Sequence, residues 1–557
     1  MLPKSLPSPL REGGFAFAPT RREAPARARL AVATSLVFGL GFGLCLLRAF
    51  ESVWLAIVLL VPFVARTQGQ PLGRASAHGF AYSLGAGLGS GIWVPQALRF
   101  LGSTDAEALL GLGLAIGWSA TPGLLAQAAA LARVRARASS IRLASVGGIV
   151  FVVEQADYYR PGAVPWTLLG HTATDAPGLA QLAAVGGVPL VSATLAVAAA
   201  ALVELTRRHP PRGARVVPAA LLAALLVLAA TGERVAESGL EAIASDGRAG
   251  ATRYLAIQPQ VPRLERIEPR LQPEILDRLT RYARGAVGEI GNDRVILVWP
   301  ENALQTGGPA PPLARTAREI GRRMGLRSVM GLARRADSGA PAPITSSIAW
   351  LDPQGAVLDL VDKHVAVPVI ESRSRSPLES LAARSVGAAG RWDKVRPTTS
   401  IQPLGAGSRA AVTLCFEILH PQVVAARRPA RAEILLNLAD DSWTASEWAD
   451  RQLTGIARFR AIETRLPLLR VSHGGRTASF DALGRPRGAL PVDRFGSLEI
   501  AVRRATQTSW LLEASIVWWP TATGLAVGGA VRAYAPTRIA PRKSRLPSGT
   551  PFDRRMS

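Results

Sequence analysis

Up to about residue 232 the chain runs through one apolar stretch after another, with almost no charged residue inside them. In hydrocarbon a backbone must satisfy its own hydrogen bonds, which leaves helices as the usual solution for such stretches, and a spanning helix takes ~20 mostly apolar residues. Good candidates are Leu30 to Leu47, Gly79 to Leu101, Ala108 to Leu131, Leu179 to Leu205, Val216 to Thr231 and, near the end of the chain, Trp510 to Val531. Two shorter stretches, Val53 to Ala65 and Leu143 to Val153, bring the set to about eight spanning helices. Gly39 with Gly43, and Gly85 with Gly89, recur at the four-residue spacing that lets two helices approach closely in lipid.

Charge orients these segments. Of 557 residues 48% are hydrophobic and 19% charged, and the formal net charge is +25. A cation excess of that size suits a nucleic-acid binder, but the basic residues sit in short clusters between apolar stretches rather than on one face, so no nucleic-acid partner is expected. Put Arg21, Arg22, Arg27 and Arg29 in the cytoplasm and let all eight segments span. Arg66 with Arg74, the Arg133–Arg135–Arg137 cluster, and Arg207, Arg208, Arg212 and Arg215 then share that side. So do Arg542, Lys543, Arg545, Arg554 and Arg555. Glu51, Asp105, Glu154 and Asp157 fall on the other, which is the distribution of the positive-inside rule.

The division that follows is a basic cytoplasmic start (1–29), membrane helices (30–231), a globular unit outside the membrane (250–505), a last span (510–531) and a basic cytoplasmic tail (532–557). The first apolar stretch reads as an uncleaved anchor, since no small-x-small cleavage site follows it. Trp510, Trp518 and Trp519 flank the last span as interfacial anchors.

From about 250 to 505 the pattern changes to short β-branched runs alternating with Arg-rich helical stretches. Strands are predicted at Tyr254 to Gln258, Val295 to Trp299, Ser328 to Leu332, Ala411 to Cys415 and Glu433 to Leu438. Helices are predicted at Glu274 to Gly288, Leu313 to Met324 and Arg451 to Glu463. Ile344 to Leu351 and Val357 to Val361 form a hairpin around Pro353, Gln354 and Gly355. Alternation of this kind argues for an α/β layered domain. Of the two cysteines, Cys45 lies in an apolar stretch as a small buried hydrophobe, and Cys415 is a lone thiol in the globular region, so a disulfide is not expected.

Three chemically capable residues close apolar strands. Glu301 ends Val-Ile-Leu-Val-Trp-Pro-Glu, Lys363 follows the second hairpin strand in Val-Asp-Lys-His, and Cys415 ends Ala-Val-Thr-Leu-Cys. A strand that stops on a polar group presents it at the sheet edge, where active sites collect. Singly these read as a helix-start carboxylate, a solvated lysine and a core cysteine; the trio in this order is far more specific. The histidines, among them His364, His420 and His473, show no metal-ligand spacing, and there is no Gly-x-x-x-x-Gly-Lys phosphate loop. Neither a metal nor a cofactor is expected.

These residues carry a resemblance. The chain resembles the bacterial apolipoprotein N-acyltransferases, the membrane-embedded branch of the carbon–nitrogen hydrolase (nitrilase) superfamily. The matching runs are Trp-Pro-Glu-Asn-Ala at Glu301, Asp-Lys-His-Val-Ala-Val-Pro at Lys363 and Cys-Phe-Glu-Ile-Leu at Cys415. Glu371, Glu417, the Asp-Asp-Ser-Trp run ending at Trp443, Arg460 to Glu463 and Pro467 to Arg470 also match. In the membrane part the match includes Gly89 to Trp93, Pro165-Trp166 with Leu169-Gly170, Gln181, Leu182 and Gly186-Gly187. The resemblance departs at Asp440, where the family has Asn, at Ile370, and at Ser472-His473-Gly474-Gly475.

The resemblance implies an αββα sandwich on a helical membrane bundle in the bacterial inner membrane, with its catalytic domain periplasmic. It implies two-step acyl transfer, in which Cys415 takes an acyl chain from a phospholipid as a thioester and the N-terminal amine of a diacylglyceryl-cysteine lipoprotein then accepts it. Glu301 is the expected base. Lys363 is expected to hold the oxyanion, Glu371 and Glu417 to orient the lysine and the amine, and Trp443 to support the site; the protein is expected to act as a monomer. Two other readings stand beside this one: a homologue of conjugal transfer operons with a different acceptor, and a catalytically silent membrane scaffold.

Overall fold

The computed structural model describes residues 23–502 apart from 137, 160–163, 209, 211–212, 245–251, 291–294, 309, 336–343, 368–370, 372–409, 428–431 and 493. The span expected at Trp510 to Val531 and the basic tail lie outside the described residues.

The N-terminal half is helical. Glu23–Leu46 packs along Leu72–Ser90 with the glycines of both helices at the crossing. A methyl group on Gly39 would run into the Tyr82 carbonyl, and one on Gly85 into the Leu36 carbonyl, so the close approach read from the spacing is realised. Four described helices are long and apolar enough to cross a membrane: Ala28–Leu46, Asp105–Leu131, Ala183–Leu205 and Val216–Gly239, with Val53–Thr67 as a shorter apolar helix.

Two expected segments are not single helices. Gly79 to Leu101 breaks after Ser90: Gly91 ends one helix, and Val94–Phe100 restarts with Pro95 in its first turn, where a missing N–H costs nothing. Leu179 to Leu205 divides into Pro177–Ala180 and Ala183–Leu205, and the latter is itself interrupted at Gly186 and Gly187, with φ of +66° at Gly187. Two others grow, Leu143 to Val153 into Ser139–Tyr159 and Val216 to Thr231 into Val216–Ala244. Periodicity in an apolar run marks hydrocarbon-compatible residues, whereas a helix continues into polar sequence wherever partners exist.

The C-terminal half holds two sheets. The first has the order β12 (Gly496–Val502), β1 (Thr252–Gln258), β2 (Val295–Val298), β4 (Arg327–Arg334), β5 (Thr345–Leu351) and β6 (Val357–Asp362), with β3 (Leu304–Thr306) beside β4. The second runs β11 (Pro486–Ala489), β10 (Ala478–Phe480), β9 (Leu468–His473), β8 (Ile434–Asp440) and β7 (Ala410–Leu414). Each central strand is apolar on both faces because both are covered. On β1, Tyr254 and Ala256 face the second sheet with Leu436, Leu438 and Val471. Leu255 and Ile257 face helices Gln272–Ile290 and Leu313–Met324. Helix Glu447–Thr464 covers the second sheet through Ile456, Ala457 and Ala461, which completes an αββα sandwich.

That same helix joins the halves. Its Phe459 and Ile462 belong to the apolar core of the bundle, and Ala449 packs with Trp93. Polar bonds rim the junction. Arg458 Nη1 donates to Thr174 O at 2.5 Å, and Arg465 Nη1 to Gln181 Oε1 at 2.5 Å. Where Gly187 interrupts its helix, the freed Val188 amide donates to Glu463 Oε1 at 3.2 Å. Farther out, Arg485 in the β10–β11 turn reaches Glu233 at 2.7 Å and Glu237 at 2.7 and 2.8 Å.

Candidate active site

Glu301, Lys363 and Cys415 come together at one edge between the two sheets, all nearly sealed from solvent at 1%, 4% and 6% exposure. Glu301 follows β2 through Trp299 and Pro300. Gly331 on neighbouring β4 makes room for it, since a Cβ there would strike the Glu301 backbone. Lys363 follows β6, its amide bonded to Ser346 O at 2.8 Å. Cys415 directly follows β7 with φ of +41°, in the left-handed region that a side chain with a Cβ rarely adopts. A short 3₁₀ turn, Cys415–Leu419, begins there. Strain of this kind persists only where the surroundings enforce it: Asn437 Nδ2 donates to Cys415 O at 3.3 Å, and Glu417 Oε2 accepts from Leu414 N at 2.9 Å.

Lys363 Nζ bridges two carboxylates, Glu301 Oε1 at 2.9 Å and Glu371 Oε1 at 2.8 Å. Burial opposes the ammonium charge, but Glu301 and Glu371 outweigh it and hold Lys363 well above its ordinary value, so it stays protonated. Burial pushes Glu301 up to about 7 against the pull of Lys363, which leaves a carboxyl group poised to take or give a proton near neutrality. Burial and the Glu301 carboxylate raise the Cys415 thiol, with Lys363 pulling the other way. The resting sulfur is therefore a thiol.

The two neighbouring carboxylates differ in what they touch. Glu371 meets the ammonium directly and accepts from Val367 N at 2.8 Å. Glu417 reaches Lys363 only through the backbone: it accepts from His364 N at 2.5 Å and from Arg427 Nη2 at 2.8 Å, so it ties the lysine loop to the cysteine turn. Trp443 lies edge-on to Trp93 at 6.1 Å, and Trp93 meets Trp166 at 5.4 Å. These rings join the bundle to the catalytic domain.

Polar contacts around the cysteine turn escaped the sequence reading, although Arg470, Ser472 and Asp440 lie in runs named above. Arg470 is buried and donates to Asp441 Oδ2 at 2.6 Å and to Asn437, the residue that holds the Cys415 carbonyl. Ser472 Oγ donates to the same Asp441 oxygen at 2.7 Å. Asp440 is gripped by Arg266, which nothing in the run Leu-Glu-Arg-Ile announces; the one available signal was an acid in a strand-end position that needs a cation. Among the described residues no cluster of three or more His, Cys, Asp or Glu side chains is arranged to hold a metal ion.

Residues 39–201 match the family described as apolipoprotein N-acyltransferase N-terminal domain, and residues 262–519 match carbon–nitrogen hydrolase. Among similar proteins is the apolipoprotein N-acyltransferase of Geobacter metallireducens, 26% identical over 370 residues, 66% of this chain and 70% of that protein. That of Brucella melitensis is 26% identical over 462 residues, 81% and 84% of the two chains, and that of Azotobacter vinelandii is 30% identical over 347 residues, 59% and 61%. With one match on the membrane half and another on the sandwich that carries the buried Glu–Lys–Cys group, the chain belongs to the apolipoprotein N-acyltransferases, membrane acyltransferases with a carbon–nitrogen hydrolase domain.

Proposed function

We propose that the protein moves an acyl chain from a phospholipid to the N-terminal amine of a diacylglyceryl-cysteine lipoprotein by way of a thioester on Cys415. The observation that carries the reading is a buried ammonium shared by two carboxylates beside a lone thiol on a strained turn, mounted on apolar helices. In the first half-reaction Glu301 takes the thiol proton as sulfur attacks the ester carbonyl, and Lys363 balances the oxyanion, a term that is large in acyl transfer. The ester C–O bond breaks, and Glu301 returns the proton to the departing lysophospholipid alkoxide. In the second half the lipoprotein amine attacks the thioester, Glu301 takes its proton, the C–S bond breaks, and the sulfur is reprotonated. No nucleotide is needed, because ester, thioester and amide succeed one another.

Eight spans, an inner-membrane location, a periplasmic catalytic domain and a monomeric state complete the proposal. The positive-inside distribution of arginine supports the orientation. A different acceptor, as in a conjugal-transfer homologue, is the second reading, favoured by the departures at Asp440 and His473.

Incubating the full-length protein with phospholipid vesicles and digesting it should give an acyl adduct on the Cys415 peptide, absent in Cys415→Ala. No adduct under conditions where a lipopeptide becomes acylated would sink the thioester route. Rescue of an acyltransferase-depleted strain separates the acceptors: growth supports the general lipoprotein pool, and failure with adduct formation intact supports the specialised one.

A further inference from the structure

Segment 259–268 leaves the end of β1 and places Arg266 on the short helix Arg263–Ile267, with the side chain nearly sealed from solvent. Its guanidinium meets three strand exits. Nε donates to Val261 O at 3.2 Å within its own segment, and Nη1 approaches Asn302 O, the carbonyl directly after Glu301, at 3.5 Å. Nη1 and Nη2 grip Asp440 Oδ2 and Oδ1 at 2.7 and 3.1 Å, and Nη2 also donates to Ser442 Oγ at 2.8 Å. β1 and β2 lie in one sheet and β8 in the other. The guanidinium therefore bolts the two sheets together at the edge that carries the reacting groups, and the Asp440 carbonyl lies 4.0 Å from Cys415 Sγ.

We propose that Arg266 is a positioning residue for acyl transfer: paired with Asp440, it fixes the spacing of the base-bearing and nucleophile-bearing sheets and offsets part of the charge of a carboxylate that faces Glu301. The inference rests on the assignment of Glu301 as base and Cys415 as nucleophile. Asp440 occupies the position where the resembled family has a neutral Asn, and a buried carboxylate there requires a cation. Burial would raise Asp440, but Arg266 outweighs it and holds the carboxyl well below the usual range, with His473 and Ser442 adding to the effect. Glu301 is faced by Lys363, which lowers it, and by Glu371 and Asp440, which both lift it. A bidentate fork suits the task because it fixes orientation as well as charge.

The test is a double-mutant cycle in the full-length protein, with phosphatidylethanolamine–phosphatidylglycerol vesicles as donor and a synthetic diacylglyceryl-cysteine peptide as acceptor. Arg266→Gln should lower kcat about tenfold with KM within about twofold, and should move the acid limb of the pH profile up by about one unit, because Asp440 then acts on Glu301 unopposed. Asp440→Asn should also lose about tenfold, since it strands a buried guanidinium. The double variant should recover to within about threefold of the parent and return the limb to its place, because the charges leave together. A purely structural role would lower the yield of folded protein without moving the limb.

An unmoved limb with kcat within about twofold in Arg266→Gln, or a double variant no better than either single, overturns the proposal. Should Arg266→Gln fail to accumulate, Arg266→Lys keeps the charge and loses the fork: a fall in kcat with the limb in place supports the proposal, and parental kcat overturns it. Acyl transfer retained by Cys415→Ala would instead remove the assignment on which the inference stands.

Discussion

A lysine wedged between two carboxylates keeps its proton, so under the proposed mechanism the acid–base work at this centre falls to Glu301. Its carboxyl group is raised to about 7, and a base must be unprotonated to act. The sign follows: kcat/KM should climb about tenfold per pH unit up to about 7 and then level off, with Cys415 and Lys363, both raised, imposing no alkaline fall near neutrality. A profile already flat from pH 5 would show that another group takes the proton. Glu301→Gln keeps the shape and the bond to Lys363 but removes the base; kcat should fall by roughly 10²- to 10⁴-fold and the acid limb should vanish. Strand ends in the sequence marked Glu301, Lys363 and Cys415, and the resemblance added Glu371; the structure brings the four side chains together. Sequence could not place Arg266, whose partner lies 174 residues away and whose own neighbours in sequence are unremarkable, nor show that Arg470, in a matching run, reaches Asp441 29 residues away.

At the level of elements, the shared helix Glu447–Thr464 explains why the two halves form one body. Phe459 sits in the bundle core at 1% exposure, so Phe459→Ala leaves a cavity at the junction and should cost about 3 kcal/mol or more. The measurement is thermal unfolding in detergent, and an unchanged midpoint would mean that the junction does not bear load. Glu463 closes the gap opened at Gly187 by accepting from the Val188 amide, and Glu463→Ala leaves that amide without its acceptor, which should cost about 1 to 3 kcal/mol. Central strands were legible because both faces are apolar and their runs are continuous. β3 and β10 to β12 were not, since they are short or half-exposed, and β9 was not, since its buried run is broken by Arg470, Ser472 and His473; register comes from neighbours, and β12 joins the sheet antiparallel to β1 from the far end of the domain. The breaks at Gly91 and Gly187 were invisible to hydropathy, which does not register where a helix bends to meet a carboxylate or a tryptophan ring.

Taken whole, the molecule has a polarity that can be mapped. Single cysteines introduced into a Cys45→Ala, Cys415→Ala background at Arg135 and at Glu274 should label from opposite sides, Glu274 with an impermeant maleimide applied to intact spheroplasts and Arg135 only after lysis. Labelling of both from the same side would refute a domain held outside the membrane. The apolar spine of helix Glu447–Thr464 has a mechanical meaning as well. One of its faces packs on the sheet that bears Cys415 and another on the apolar helices, so the sulfur and the bundle share a single support. On the proposed mechanism that support fixes how far the thiol stands from the helices, like a tool clamped to its bench, and an acyl chain would have to bring its ester to the sulfur rather than be met by it.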